Sequence, residues 1–147
     1  MQASVAPPAV LSSSRGKPAV IGRASSKRVL VIEDDPEVRQ LIVRALGATY
    51  TVYEASDGAD ALELLAHMPQ PDLILCDVMM PRVDGFMFAR RIKAHREMAR
   101  VPIVFLTART DPMSVVEGIN AGARQYLMKP FKMNELMERV GKILKVP

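Results

Sequence analysis

The sequence predicts a doubly wound α/β fold: a (βα)₅ chain whose five strands form one parallel sheet with helices on both faces. Three observations point to it. Continuous apolar runs of strand length recur along the chain, as in strands buried on both faces. Stretches with one-sided helical spacing lie between them. The alternation holds from Arg28 to the C-terminus, which calls for right-handed crossovers onto a parallel sheet.

The first strand is Val29-Leu30-Val31-Ile32. Pro36 then stands where a first helical turn tolerates it, and Val38, Leu41, Ile42, Ala45 and Leu46 form one apolar stripe behind it. Asp35, just before Pro36, is placed to cap that helix. Tyr50 to Ala55 is mixed in character and suits an edge strand, followed by a helix over about 58–67. Leu73-Ile74-Leu75-Cys76 is the third strand, with a helix over about 85–97. Ile103-Val104-Phe105-Leu106 is the fourth, with a helix over about 112–121. Tyr126-Leu127-Met128 is the fifth, and Met133, Leu136, Met137, Val140, Ile143 and Leu144 stripe the last helix.

A chain of 147 residues, 49% apolar and 24% charged, has room for one ordinary domain. Phe and Tyr are few and Trp is absent, so an aliphatic core filled out by the ten methionines is expected. Asp77 interrupts the longest apolar stretch, so no membrane span is expected. Cys76 has no partner for an intrachain disulfide, which agrees with a reducing cytoplasm, and its strand position makes it an inert core residue. His67 and His95 are solitary and fit surface or cap roles.

Residues 1–26 are rich in Ala, Ser and Pro and read as a flexible basic tail ahead of a domain over 27–147. An organellar transit peptide would share that composition, but this segment lacks an amphipathic face. Of the 20 basic residues, 5 fall in residues 1–28 beside no acid, leaving 15 against 16 acidic ones. The net charge of +4 therefore comes from residues 1–28, the rest of the chain being nearly neutral, and direct nucleic-acid binding by the domain is not expected.

Ligands of such sheets sit at the carboxyl ends of the strands. There the first strand ends in Glu33-Asp34-Asp35, the third runs into Asp77, the fourth into Thr107 and the fifth into Lys129. Crowded carboxylates favour a hard divalent cation, Mg²⁺ above all, with Asp34 and Asp77 as direct ligands and Glu33 acting through water. A lysine and a threonine beside it supply positive charge and a hydroxyl, the groups that stabilise a phosphoryl oxygen in transfer. Asp77, ending the central strand, is the candidate nucleophile for an acyl phosphate.

Four motifs in order, Val31-Ile32-Glu33-Asp34-Asp35-Pro36, Asp77 through Met80-Pro81 to Asp84-Gly85, Leu106-Thr107-Ala108 and Tyr126-Leu127-Met128-Lys129-Pro130-Phe131, resemble a receiver domain of two-component response regulators. The resemblance covers residues 28–147 and implies the flavodoxin-like strand order 2-1-3-4-5. It implies Asp77 as phosphoacceptor, Glu33 and Asp34 as the acidic pair, and the Met79 backbone carbonyl as a further metal ligand. It implies Thr107 as the switch hydroxyl, Lys129 as its charge partner, Tyr126 as a rotameric switch, and a cis Lys129-Pro130 bond. The implied partners are a histidine kinase or histidine phosphotransfer protein and a downstream protein met by the fourth helix, fifth strand and fifth helix. No membrane partner is implied.

Other readings fit less well. An Asp-nucleophile phosphatase or mutase commonly carries a second Asp two positions on, where this chain has Met79. A flavin or dinucleotide site wants a Gly- or Ser/Thr-rich loop after the first strand, where this chain has Glu-Asp-Asp-Pro. Gly85 reads as a turn residue rather than a phosphate cradle. The chain ends at Pro147 with no DNA-binding effector behind it, so a free-standing receiver is expected; a piece of a larger regulator is the alternative.

Overall fold

The computed structural model describes residues 27–108 and 112–145; the expected tail lies outside them. Five strands and five helices alternate: β1 (Arg28–Ile32), α1 (Pro36–Gly47), β2 (Thr51–Ala55), α2 (Gly58–Leu65), β3 (Leu73–Asp77), α3 (Gly85–Lys93), β4 (Ile103–Thr107), α4 (Pro112–Asn120), β5 (Gln125–Met128) and α5 (Met133–Leu144). The strands form one parallel sheet in the order β2-β1-β3-β4-β5. Among the described residues no helix is long and apolar enough to cross a membrane.

Side chains alternate across each strand and so fill two cores. Leu30, Ile32, Ile74, Cys76, Ile103 and Phe105 face α2 and α3, while Val29, Val31, Leu73, Leu75, Val104 and Leu106 face α1 and α5. Three of the four phenylalanines, Phe86, Phe88 and Phe105, are fully buried, and Phe86 meets Phe105 edge-on with ring centroids 5.1 Å apart. The expectation of a methionine-filled core holds in part. Met68 and Met80 are buried, but Met79, Met87, Met113 and Met128 stand in outward positions, 59%, 40%, 78% and 52% exposed. Met98, Met133 and Met137 pack, partly buried, against the two cores.

The helices end sooner than the sequence suggests. α3 stops at Lys93, where the chain continues in tight turns (His95 N–H to Ile92 O, Met98 N–H to His95 O). Lys93 Nζ fastens them by donating to the carbonyls of Ala99 (2.9 Å) and Val101 (2.8 Å). Local propensity favoured helix over 94–97; the tertiary bonds of Lys93 override it.

β2 is an edge strand as expected, yet all five of its residues are buried, Glu54 included. Arg39 of α1 explains that. Its Nε donates to Glu54 Oε1 at 2.8 Å, and a second guanidinium nitrogen donates to the Glu33 carbonyl at 2.7 Å. The two side chains are only 16% and 5% exposed. Arg39→Ala is expected to lower the unfolding free energy by about 3 kcal/mol, because it strands a buried carboxylate. Denaturant titration of both proteins checks this. A loss below about 1 kcal/mol would mean the pair behaves as an exposed one.

Candidate functional site

Strand register brings the site together. Ile32 pairs with Cys76, so Glu33 follows at the level of Asp77; Asp77 pairs with Leu106, and Thr107 with Met128, the residue before Lys129. Four strands thus deliver Glu33, Asp77, Thr107 and Lys129 to the carboxyl end of the sheet. Lys129 N–H donates to the Thr107 carbonyl at 2.9 Å, and the Lys129-Pro130 bond is cis, as the resemblance implied.

The ammonium of Lys129 lies between two acids, 2.7 Å from Glu33 Oε1 and 3.3 Å from Asp77 Oδ2. Glu33 is fully buried, Asp77 nearly so, and Asp34 exposed. Backbone donors hold the remaining oxygens: Asp35 N–H to Glu33 Oε2 (3.1 Å) and Met79 N–H to Asp77 Oδ1 (3.3 Å). Asp35 itself caps α1 through Glu37 N–H, the role its sequence position suggested.

Burial drives the Glu33 carboxyl up to about 7 against the pull of its Lys129 hydrogen bond, with the Asp77 charge adding to the rise. Burial likewise raises Asp77, partly offset by Lys129. Burial opposes the charge on Lys129, but the Glu33 hydrogen bond and the Asp77 carboxylate hold its ammonium above the ordinary value. Two acids that resist ionisation and a lysine that favours it make a site short of positive charge.

Glu33, Asp34 and Asp77 each offer a carboxylate oxygen within 4.8 Å of the others. That all-oxygen donor set fits a hard divalent cation. Met79, which the resemblance made a ligand through its carbonyl, lines an open hollow of ≈ 450 Å³ with Asp34, Pro81 and Asp84. Thr107 is buried at the end of β4. Tyr126 sits farther along, half-buried, its ring 6.2 Å from Phe105 and against Gly118 of α4. Cys76 is wholly buried and burial pushes its thiol well up, so it is the inert core residue expected. His67 and His95 are exposed.

Gly85 was read as a turn residue; the structure gives it another reason. It opens α3, and a Cβ there would lie 2.3 Å from the Asp77 carbonyl oxygen and 2.9 Å from Val78 Cα. Close backbone approach, not turn geometry, demands glycine. Sequence reasoning also missed two arginines: Arg39, on the Glu33 carbonyl, and Arg82, whose guanidinium meets Asp57 at the start of α2. Arg82 has φ 68°, a left-handed backbone that costs a residue with a side chain about 1–2 kcal/mol.

The response regulator receiver domain model matches residues 29–141. Over 121 residues the chain is 42% identical to response regulator MprA of Mycobacterium ulcerans (strain Agy99), a match covering 82% of this chain and 51% of that one. It is 38% identical over 122 residues to sensor histidine kinase TmoS of Ectopseudomonas mendocina, covering 83% of this chain but 12% of the kinase. The solved structure of Vibrio cholerae chemotaxis protein CheY4 superposes with a TM-score of 0.75 at 32% identity, covering 81% of this chain and 99% of that one. This chain spans about half the length of the response regulator and an eighth of the kinase.

Proposed function

The chain belongs to the response regulator receiver family, and from that premise we propose that it accepts a phosphoryl group on Asp77 and passes the signal on by a change of protein contacts. The observation that carries this is the convergence of Glu33, Asp34 and Asp77 with Lys129 at the carboxyl end of the sheet. An Asp77 oxygen attacks the phosphorus of a phosphohistidine, the P–N bond breaks, and the imidazole nitrogen leaves with the electron pair and takes up a proton. Glu33, Asp34, Asp77 and the Met79 carbonyl are the residues that would hold Mg²⁺, which supplies charge to the phosphoryl oxygens when bound. Lys129 and Thr107 orient the transferred group by charge and hydroxyl.

The donor is a histidine kinase or histidine phosphotransfer protein. An apolar cleft of ≈ 400 Å³ lined by Val38, Leu41, Ala108, Lys129, Pro130 and Phe131 offers such a protein a foothold. Output leaves by α4, β5 and α5. In support, Met113, Val116 and Ile119 of α4 and Met128 of β5 are large apolar residues more than half exposed. Tyr126, packed on α4 at Gly118, is the link by which Thr107 reaches that face. The cytoplasm is the expected compartment. The half-length match to MprA favours a second reading of the output, in which the receiver acts on an attached effector domain.

Phosphotransfer from a phosphohistidine donor in Mg²⁺, with and without a chelator, tests the proposal; uptake unaffected by chelation would remove the metal from it. A pH dependence follows as well. The Glu33 carboxyl is raised from 4.5 to about 7, so the stability it contributes is full below pH 4.5 and declines as pH rises through about 7. A cation binds the ionised form and releases the proton, so Mg²⁺ affinity is expected to rise by up to about tenfold per pH unit and then level above 7. NMR titrations with Mg²⁺ below and above pH 7 read this directly, and equal affinity at both would contradict it.

A further inference from the structure

The segment joining β3 to α3, residues 78–84, is pinned at its base and at its crest. At the base, Gly85 N–H donates to the Val78 carbonyl at 2.9 Å. At the crest, Arg82 reaches across to Asp57, donating from Nε at 3.2 Å and from a terminal nitrogen to the same oxygen. Its terminal nitrogen also lies 3.5 Å from Asp60. Asp57 is itself held, since its other oxygen caps α2 by accepting from Asp60 N–H at 2.8 Å. The neighbouring backbones press together, because a Cβ on Gly58 would come within 2.6 Å of the Val83 carbonyl oxygen.

We propose that Arg82 is a positioning residue for the metal site, clasping the β3–α3 loop to the N-terminus of α2 and so fixing where the Met79 carbonyl stands. The inference rests on the reading of Glu33, Asp34, Asp77 and Met79 as Mg²⁺ ligands. Two observations separate this role from a merely structural one. Arg82 holds a left-handed backbone that glycine would adopt without strain, so the side chain must be justified by what it touches. Its side chain is 59% exposed against 9% for Asp57, so solvent on the arginine's side screens the pair and limits what it adds to global stability. What two guanidinium nitrogens converging on one oxygen of a fixed, buried carboxylate supply is direction. Burial pushes the Asp57 carboxyl up, but the Asp60 backbone bond and Arg82 more than reverse that, so the clasp is an ionic one.

The test measures Mg²⁺ affinity by NMR titration, and unfolding free energy in chelator, for the full chain, Arg82→Gly, Asp57→Asn and the double variant. Arg82→Gly removes the fork and relieves the backbone, while asparagine keeps the cap and removes the charge. Mg²⁺ affinity is expected to fall about tenfold in each single variant, the lower end of what losing a ligand's outer support costs, with no further loss in the double variant. The unfolding free energy of Arg82→Gly should stay within about 1 kcal/mol of the unaltered chain, the relieved backbone strain offsetting the lost ion pair. If the unaltered chain binds Mg²⁺ and Arg82→Gly binds it equally well, the clasp is refuted and the metal reading stands. If the unaltered chain binds no Mg²⁺, both fall.

Discussion

Asp77→Asn is expected to take up no phosphoryl group from a phosphohistidine donor under conditions that label the unaltered chain. The amide nitrogen and oxygen of asparagine keep the shape of the side chain but remove the nucleophile, and an amide does not form the acyl phosphate. The fold should tolerate the change, because it removes a buried charge that sits among two other acids and resists ionisation. Lys129 keeps its shorter bond to Glu33 at 2.7 Å, so the ammonium is not left without an acid. Loss of labelling with an unchanged unfolding midpoint is therefore the expected pair of readings. Labelling that persists at full stoichiometry would place the acceptor on another residue.

Gly85→Ala is expected to be the most damaging small substitution in the domain. The added methyl would meet backbone atoms, Asp77 O at 2.3 Å and Val78 Cα at 2.9 Å, which cannot rotate away as a side chain would. Either α3 moves off the sheet or the end of β3 bends. A cost of about 3 kcal/mol, the upper end for overpacking, is expected. Asp77 moves with the strand, so phosphoryl uptake should fall even in molecules that remain folded. Gly141 in α5 provides the contrast: its added methyl would find only the Tyr50 hydroxyl, at 4.0 Å. Gly141→Ala should stabilise by about 0.5–1 kcal/mol through helix propensity alone. Denaturant midpoints of the two variants should move in opposite directions, and a Gly85→Ala midpoint equal to that of the parent would show the contact to be soft.

These outcomes bear on how much of the molecule its sequence discloses. The strands were legible because parallel, twice-covered strands are continuous apolar runs, and Asp77, Thr107 and Lys129 stood out by ending such runs. Parallel register then left them no freedom except to converge. The Asp35 cap was legible for the same local reason, an acid immediately before Pro36. What was not legible depends on partners far apart in the chain. Arg39 reads as an ordinary polar helix residue until β2 brings Glu54 beneath it. Arg82 reads as a loop charge until α2 brings Asp57 alongside. Gly85 looked like a turn because Asp-Gly pairs usually are, and only the packing of α3 on β3 showed a steric demand. Methionine, apolar on any scale, was assigned inward, whereas Met113 and Met128 face outward on the surface assigned to a partner.

Chemical localisation of the acyl phosphate distinguishes Asp77 from every other acid in the chain. The chain is incubated with a phosphohistidine donor and Mg²⁺, reduced with borohydride, which converts an aspartyl phosphate to homoserine, and digested for peptide mass spectrometry. Homoserine is expected at position 77, and none when Mg²⁺ is chelated. Homoserine at another acid, or none in a chain that has demonstrably taken up label, would contradict an acyl phosphate on Asp77.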